Sequence, residues 1–221
     1  MNRTRTSFRR ALVAAAFGSL LLSGAAMAQT ADVITVGSVS GNGTVTVPVS
    51  IRDVSGTTLG IDQPAGSRIQ SYSIRVTYSS PAVQSISFSR AGITTPLTPT
   101  FESSPAVPGA VSLLGTFDEA TNLIPFTSNA AAPGNQIAKL VVTVAPGTLP
   151  GTTITLTLDP VLTQLTNQAG TTSETVANTR LTLVSGAILV TPAAPVPLFP
   201  SWVLVLLAVS LAVVAVRMQI S

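Results

Sequence analysis

The chain has 221 residues, 46% of them hydrophobic and 9% charged, with no cysteine and no histidine. Disulfides, thiol nucleophiles, Cys/His zinc sites and histidine general bases are therefore excluded. The formal charge of +3 misleads: setting aside the four N-terminal arginines and Arg217, six basic residues (Arg52, Arg68, Arg75, Arg90, Lys139, Arg180) face eight acidic ones, a balance of −2. No basic surface suited to nucleic acid remains.

Arg3, Arg5, Arg9 and Arg10 precede an apolar run from Ala11 to Leu22, and Ala26-Met27-Ala28 offers small residues where a signal peptidase reads them. This predicts a secretory signal peptide over residues 1–28, cleaved at Ala26-Met27-Ala28 before Gln29. The run is too short to cross hydrocarbon as a helix.

From Asp32 to Val190 the sequence alternates with period two in short runs broken by Gly, Pro, Ser and Asn. In "TVTVPVSIR" (44–52), Val45, Val47, Val49 and Ile51 fall on one face and the polar residues on the other, which predicts a half-buried strand. Pro48 lacks an N–H, placing this strand at a sheet edge or at a bulge. Asn42-Gly43-Thr44 fits an N-glycosylation sequon, but Asn-Gly is first a tight-turn signal. The pattern returns in Tyr72/Ile74/Val76/Tyr78, Ile86/Phe88, Leu140/Val142/Val144, Ile154/Leu156/Leu158 and Leu181/Leu183. Val33–Val36 and Ile188–Val190 add a first and a last run, for about nine or ten strands of an all-β sandwich. Residues 91–109 and 118–135, rich in Pro, Ser, Thr and Ala, are expected to be surface loops.

The carboxylates are Asp32, Asp53, Asp62, Glu102, Asp118, Glu119, Asp159 and Glu174. A glycosidase needs two of them about 5–10 Å apart in a cleft, and no spacing marks such a pair. The expectation is a non-enzyme. Asp118-Glu119, with Asn122, is the weak candidate for calcium; a solvated turn is the favoured reading, because no repeated ligand spacing appears. No other cofactor is expected. Tyr72, Tyr78 and Phe88 fall on apolar faces and are expected in the core, whereas Phe101 and Phe126 lie in loops and stay open as sugar platforms.

Taken together, these runs resemble a cohesin module. "VITVGSVSGNGTVTVPVSIRDVSG" (33–56) is similar to its opening strands, and "IQSYSIRVTYSSPAVQSISFSRAG" (69–92) to an alternating strand ending at Tyr-Asp-Pro. Here that corner is Tyr78-Ser79-Ser80-Pro81, without the aspartate. "GNQIAKLVVTVAPGTLPGTTITLTL" (134–158) and "SGAILV" (185–190) resemble the later strands. The resemblance implies a jelly-roll sandwich of about nine strands over residues 29–190. It also implies a module that binds a protein partner, dockerin-like or a second copy, through one sheet face. An extracellular polysaccharide is the alternative partner, since carbohydrate-binding modules share the architecture, and a hydrolase the remote one. The chain has no dockerin calcium loops of its own, and fold alone does not fix the partner.

A Pro/Ala linker (191–197) leads into apolar sequence from Leu198 to Val216, closed by Arg217. Nineteen residues at about 1.5 Å each nearly match a ~30 Å hydrocarbon core, which predicts a membrane helix over 198–217 and a short cytoplasmic end, 218–221. Trp202 suits one interface and Arg217 the positive-inside rule. "VPLFPSW" (196–202) resembles the "I-P-T-L-S-E-W" start of a PEP-CTERM-type sorting signal, with Val196, Pro197 and Trp202 in register. That resemblance implies recognition by an exosortase-type processing enzyme. The expected protein is exported through the inner membrane, then anchored there or released to the cell surface or extracellular matrix.

Overall fold

The computed structural model describes residues 31–79 and 81–193. The expected signal peptide and its cleavage residues Ala26 and Ala28, the sorting residues Val196, Pro197 and Trp202, and the helix 198–217 lie outside them. Among the described residues no helix is long and apolar enough to cross a membrane.

Fourteen strands form in chain order. They are β1 (Asp32–Val36), β2 (Val39–Gly41), β3 (Thr44–Arg52), β4 (Ser71–Tyr78), β5 (Val83–Arg90), β6 (Phe101–Ser103) and β7 (Ala106–Val107). They continue as β8 (Ala110–Thr116), β9 (Asn135–Val144), β10 (Thr153–Leu158), β11 (Gln164–Thr166), β12 (Ser173–Thr175), β13 (Leu181–Val184) and β14 (Gly186–Val190). The five-stranded sheet runs β13-β1-β3-β9-β5. The nine-stranded sheet runs β12-β11-β4-β10-β14-β2, with β8 on the other side of β4 and carrying β6 and β7.

The period-two runs bury the faces their spacing requires. Val45, Val47, Val49 and Ile51 of β3 pack inward with Leu140 and Val142 of β9 and Phe88 of β5. Tyr72, Ile74 and Val76 of β4 and Ile154, Leu156 and Leu158 of β10 face them from the other sheet. Each such side chain contributes roughly 1.5–3 kcal/mol when fully buried, and this common core holds the sandwich without a crosslink.

Pro48 is not on an edge: β3 lies between β1 and β9. Its ring is tolerated because the β1 ladder stops at Val36↔Val49, and the Pro48 carbonyl instead accepts the Gly37 N–H at 2.9 Å. A bulge does occur beside it, between Val49 and Ser50, where β9 inserts an extra residue and buries Ile137 and Ala138 consecutively.

The expected loop 91–109 is in part structured. It carries a 3-10 turn (Gly92–Thr94), β6 and β7, the two strands lying against β8. Residues 118–135 hold no strand before Asn135. The Asn42-Gly43 turn exists, with Gly43 at φ 70°, but it joins strands of different sheets rather than a hairpin.

Two strand pairs change sheets together. β1 and β13 run parallel in the smaller sheet; their continuations β2 and β14 run parallel in the larger one. The crossing needs two glycines: a Cβ on Gly186 would strike the Gly37 and Val36 carbonyl oxygens, and one on Gly37 would press the Pro48 ring.

Candidate functional site: an open sheet face and an acidic loop clasp

Strand alternation turns a second set of side chains outward from the larger sheet. Ser73, Arg75 and Thr77 of β4 stand beside Ser112 and Leu114 of β8, and Thr77 stands beside Thr157 of β10. Thr153, Thr155 and Thr157 are exposed, and with Thr77 and Tyr78 they line a shallow depression of about 300 Å³. Threonine suits this position twice over, since its branched Cβ fits the pleat and its hydroxyl meets solvent. Arg75 is the one charged residue within β4, β8 and β10. Its Nε lies 3.8 Å from Asp159 Oδ2, with the two side chains 30% and 23% exposed. Half-buried and held from one side, this guanidinium keeps donors to present to a carboxylate or carbonyl. The face is flat and hydroxyl-rich around one cation, a surface for docking rather than for enclosing a substrate.

Among the described residues most aromatic rings are withdrawn from the surface. Tyr72, Phe88, Phe117 and Phe126 are buried, and Tyr78 packs partly against the core. Phe126, open in the sequence reading, is thus a core residue, seated by Phe126 N–H donating to the Ile124 carbonyl at 2.9 Å. Gly115 leaves the space that the Tyr72 ring fills. Phe101 in β6 is exposed; one ring is a poor stacking platform for a polysaccharide chain.

At one end of the sandwich, four carboxylates converge on one loop, residues 54–62. Asp32 Oδ1 accepts the Val54 N–H at 2.8 Å, Asp62 Oδ2 accepts that of Gly56 at 3.1 Å, Glu174 Oε1 that of Leu59 at 2.9 Å, and Asp53 Oδ2 that of Ile61 at 2.8 Å. Each acid thus spends one oxygen on one backbone donor. Asp32, Asp53 and Glu174 are fully buried, and their second oxygens (Asp32 Oδ2, Asp53 Oδ1, Glu174 Oε2) have no donor. The Glu174 carboxyl lies beside that of Asp32. Burial, then the Glu174 carboxyl beside it, pushes the Asp32 carboxyl up to about 9, against the pull of the Val54 N–H. Burial also raises Asp53, opposed by the Ile61 N–H and reinforced by the Asp62 and Glu174 charges. None of the ion pairs among the described residues includes these four acids; the pairs are Arg68–Glu119, Arg75–Asp159 and Arg90–Glu102.

Sequence spacing did not bring these four together, because they lie on β1, after β3, in a turn and on β12. The legible part was Asp53 and Asp62 bracketing a Gly- and Thr-rich loop. The pair singled out in the sequence, Asp118-Glu119, is engaged otherwise. Asp118 Oδ1 accepts the N–H groups of Ala120 and Thr121, and Glu119 Oε2 accepts that of Gly66 at 2.7 Å, with Arg68 3.6 Å from its other oxygen. Asn122 Oδ1 accepts the Thr98 N–H. These residues brace turns.

No protein-family model matches the chain, and no curated protein does. Solved structures do. The third cohesin of ScaC from Acetivibrio cellulolyticus, solved in complex with the ScaB dockerin, aligns with a TM-score of 0.53 at 19% identity, over 73% of this chain and 99% of that one. CaCohA2 of Clostridium acetobutylicum aligns with 0.50 at 21% identity, over 75% and 94%. The OlpC cohesin of Clostridium thermocellum, solved as a type I cohesin–dockerin complex, aligns with 0.50 at 17% identity, over 73% and 94%. The fold is therefore that of a cohesin, a β-sandwich jelly roll as the sequence resemblance implied.

Proposed function

We propose that the sandwich is a non-catalytic protein–protein interaction module that docks a folded protein partner on the β8-β4-β10 face of the larger sheet. One observation carries this reading: a flat face of hydroxyl side chains around the half-buried Arg75, on a fold shared with cohesins solved in complex with dockerins. A small dockerin-like module is the partner class that such a surface suits. The buried aromatic rings count against a polysaccharide, and three of the four acids gathered among the described residues are sealed from solvent, which counts against glycoside hydrolysis.

The place of action is read from the terminal sequences. In this reading the signal peptide exports the chain, and the apolar segment 198–217 holds it at the membrane until an exosortase-type enzyme recognises the motif of Val196, Pro197 and Trp202, cuts the tail and releases the protein to the surface. Mass spectrometry of the mature protein tests that half: an intact Ser221 on surface-located protein argues against a cleaved tag.

The binding half is tested by titrating the protein with a panel of dockerin modules and, in parallel, with insoluble polysaccharides. Saturable binding to a dockerin, weakened by Arg75→Ala, supports the proposal. Retention on polysaccharide alone sinks it.

A further inference from the structure

We propose that Asn42 is a site of spontaneous deamidation in the folded protein, and that the carboxylate it becomes loosens the end of β14. The chain holds one Asn-Gly pair, Asn42-Gly43; every other asparagine is followed by a residue with a Cβ. That matters because the attacking atom is the backbone nitrogen of the following residue, and a Cβ beside it crowds the approach. Here the approach is open. Asn42, Gly43 and Thr44 are all exposed, Gly43 stands at φ 70°, and nothing lies within 4 Å of the place its Cβ would take. The turn also brings the two reacting groups together: the Gly43 N–H donates to Asn42 Oδ1 at 2.6 Å. The nitrogen is thus held against the side-chain amide it must attack, which turns a rare encounter into a standing one.

The step balances with water as the one co-reactant. Gly43 gives its amide proton to solvent base, and its nitrogen bonds to Asn42 Cγ. Nδ2 takes up a proton and departs as ammonia, leaving a five-membered succinimide. Water then opens the ring. Breaking the bond from nitrogen to Cγ gives aspartate at position 42. Breaking the bond from nitrogen to the main-chain carbonyl carbon gives isoaspartate, in which the chain runs through the former side chain.

The place of Asn42 gives this change a consequence. Its Nδ2 donates to the Thr191 carbonyl at 2.9 Å, and the Thr191 N–H donates to the Gly41 carbonyl at 3.0 Å. The two bonds close the β2-β14 ladder beyond Val190↔Gly41. A neutral, exposed bond such as that from Nδ2 slows the reaction by about tenfold at most. Either product has lost the Nδ2 donor and carries a carboxylate beside the Thr191 carbonyl, so attraction becomes repulsion. Isoaspartate also lengthens the backbone leading into Gly43, whose carbonyl accepts the Val144 N–H at 2.8 Å.

The test uses the full-length chain in detergent, incubated folded at mildly alkaline pH, with a urea-unfolded sample in parallel. The tryptic peptide that ends at Arg52 contains no other asparagine. Expected is a gain of one mass unit in that peptide from the folded sample, placed on residue 42 by fragmentation and divided between aspartate and isoaspartate. Asn42→Gln should abolish the gain. A folded sample that keeps its mass over the time in which the unfolded one converts overturns the proposal, and so does a gain that persists in Asn42→Gln. Hydrogen exchange reads the second half. The Thr191 amide should exchange about threefold to tenfold faster in the deamidated chain and in Asn42→Asp. Unchanged exchange at Thr191 in both overturns the claim that the new carboxylate loosens β14.

Discussion

Leu59 donates its backbone N–H to Glu174 Oε1 at 2.9 Å, across 115 positions of sequence and with both residues fully buried. The bond joins the loop after β3 to a strand at the far edge of the larger sheet. Its removal is predicted to be costly in a specific way. Glu174→Ala should lower stability by about 1–3 kcal/mol, because the buried Leu59 N–H loses its acceptor. Glu174→Gln keeps an acceptor for the Leu59 N–H and removes a buried charge beside Asp32, so it should match or exceed the native chain. Urea midpoints of the three proteins check this ordering, and equal losses in both variants would refute it.

The pH dependence follows from the Asp32 carboxyl, raised from 3.8 to about 9, and from Asp53, raised by the same cause. A folded state that holds protons more tightly than the unfolded chain is stabilised below the unfolded value and loses that stability as pH rises through the folded one. Stability should therefore fall between about pH 4 and pH 9, opposite to the trend of an ordinary salt-bridged carboxylate. Asp32→Asn should flatten the curve. Thermal melts at half-unit intervals would read it; a slope that rises with pH would contradict the buried geometry.

Gly186→Ala should disrupt the paired strand crossing, since its Cβ meets the Gly37 and Val36 carbonyls rather than flexible side chains. Overpacking against backbone costs about 1–3 kcal/mol or more. Gly147→Ala tests the contrast: nothing lies within 4 Å, but φ is +82°, so only backbone strain is left to pay. Denaturation midpoints should rank Gly186→Ala well below Gly147→Ala.

On the open face, Arg75→Ala should weaken partner binding by more than 1 kcal/mol, the range of an arginine at the centre of an interface. Thr143→Ala, which points away from the core on the opposite sheet beside Val141 and Lys139, should have no effect. Calorimetry with the partner, beside unchanged circular dichroism, separates a binding role from a folding one.

Strands with one wet face were legible because their side chains obey the pleat. β3 and β10 show this residue by residue, with Val45/Val47/Val49 and Ile154/Leu156/Leu158 buried between polar neighbours. β8 was not: Ala110, Val111, Ser112 and Leu113 are buried consecutively, so the strand shows no wet face in its burial although Ser112 stands beside Arg75. β6 and β7 are too short to show any period. The open face could be read from the same alternation that placed the core, threonine by threonine along β10. The acidic clasp could not, because its four members meet only once two sheets have folded and residues 54–62 have turned back between them.

The place of β14 in the larger sheet has a mechanical consequence. β14 is the last described strand, flanked by β10 on one side and β2 on the other. Near its end Val190 N–H donates to Thr152 O at 2.9 Å, Gly151 N–H to Val190 O at 2.8 Å and Thr191 N–H to Gly41 O at 3.0 Å. Tension applied to the chain beyond it pulls along the strand, while these bonds lie across it. Both ladders are then loaded in shear and must rupture together instead of unzipping singly. Pulled along this strand, the sandwich resists as a clamp.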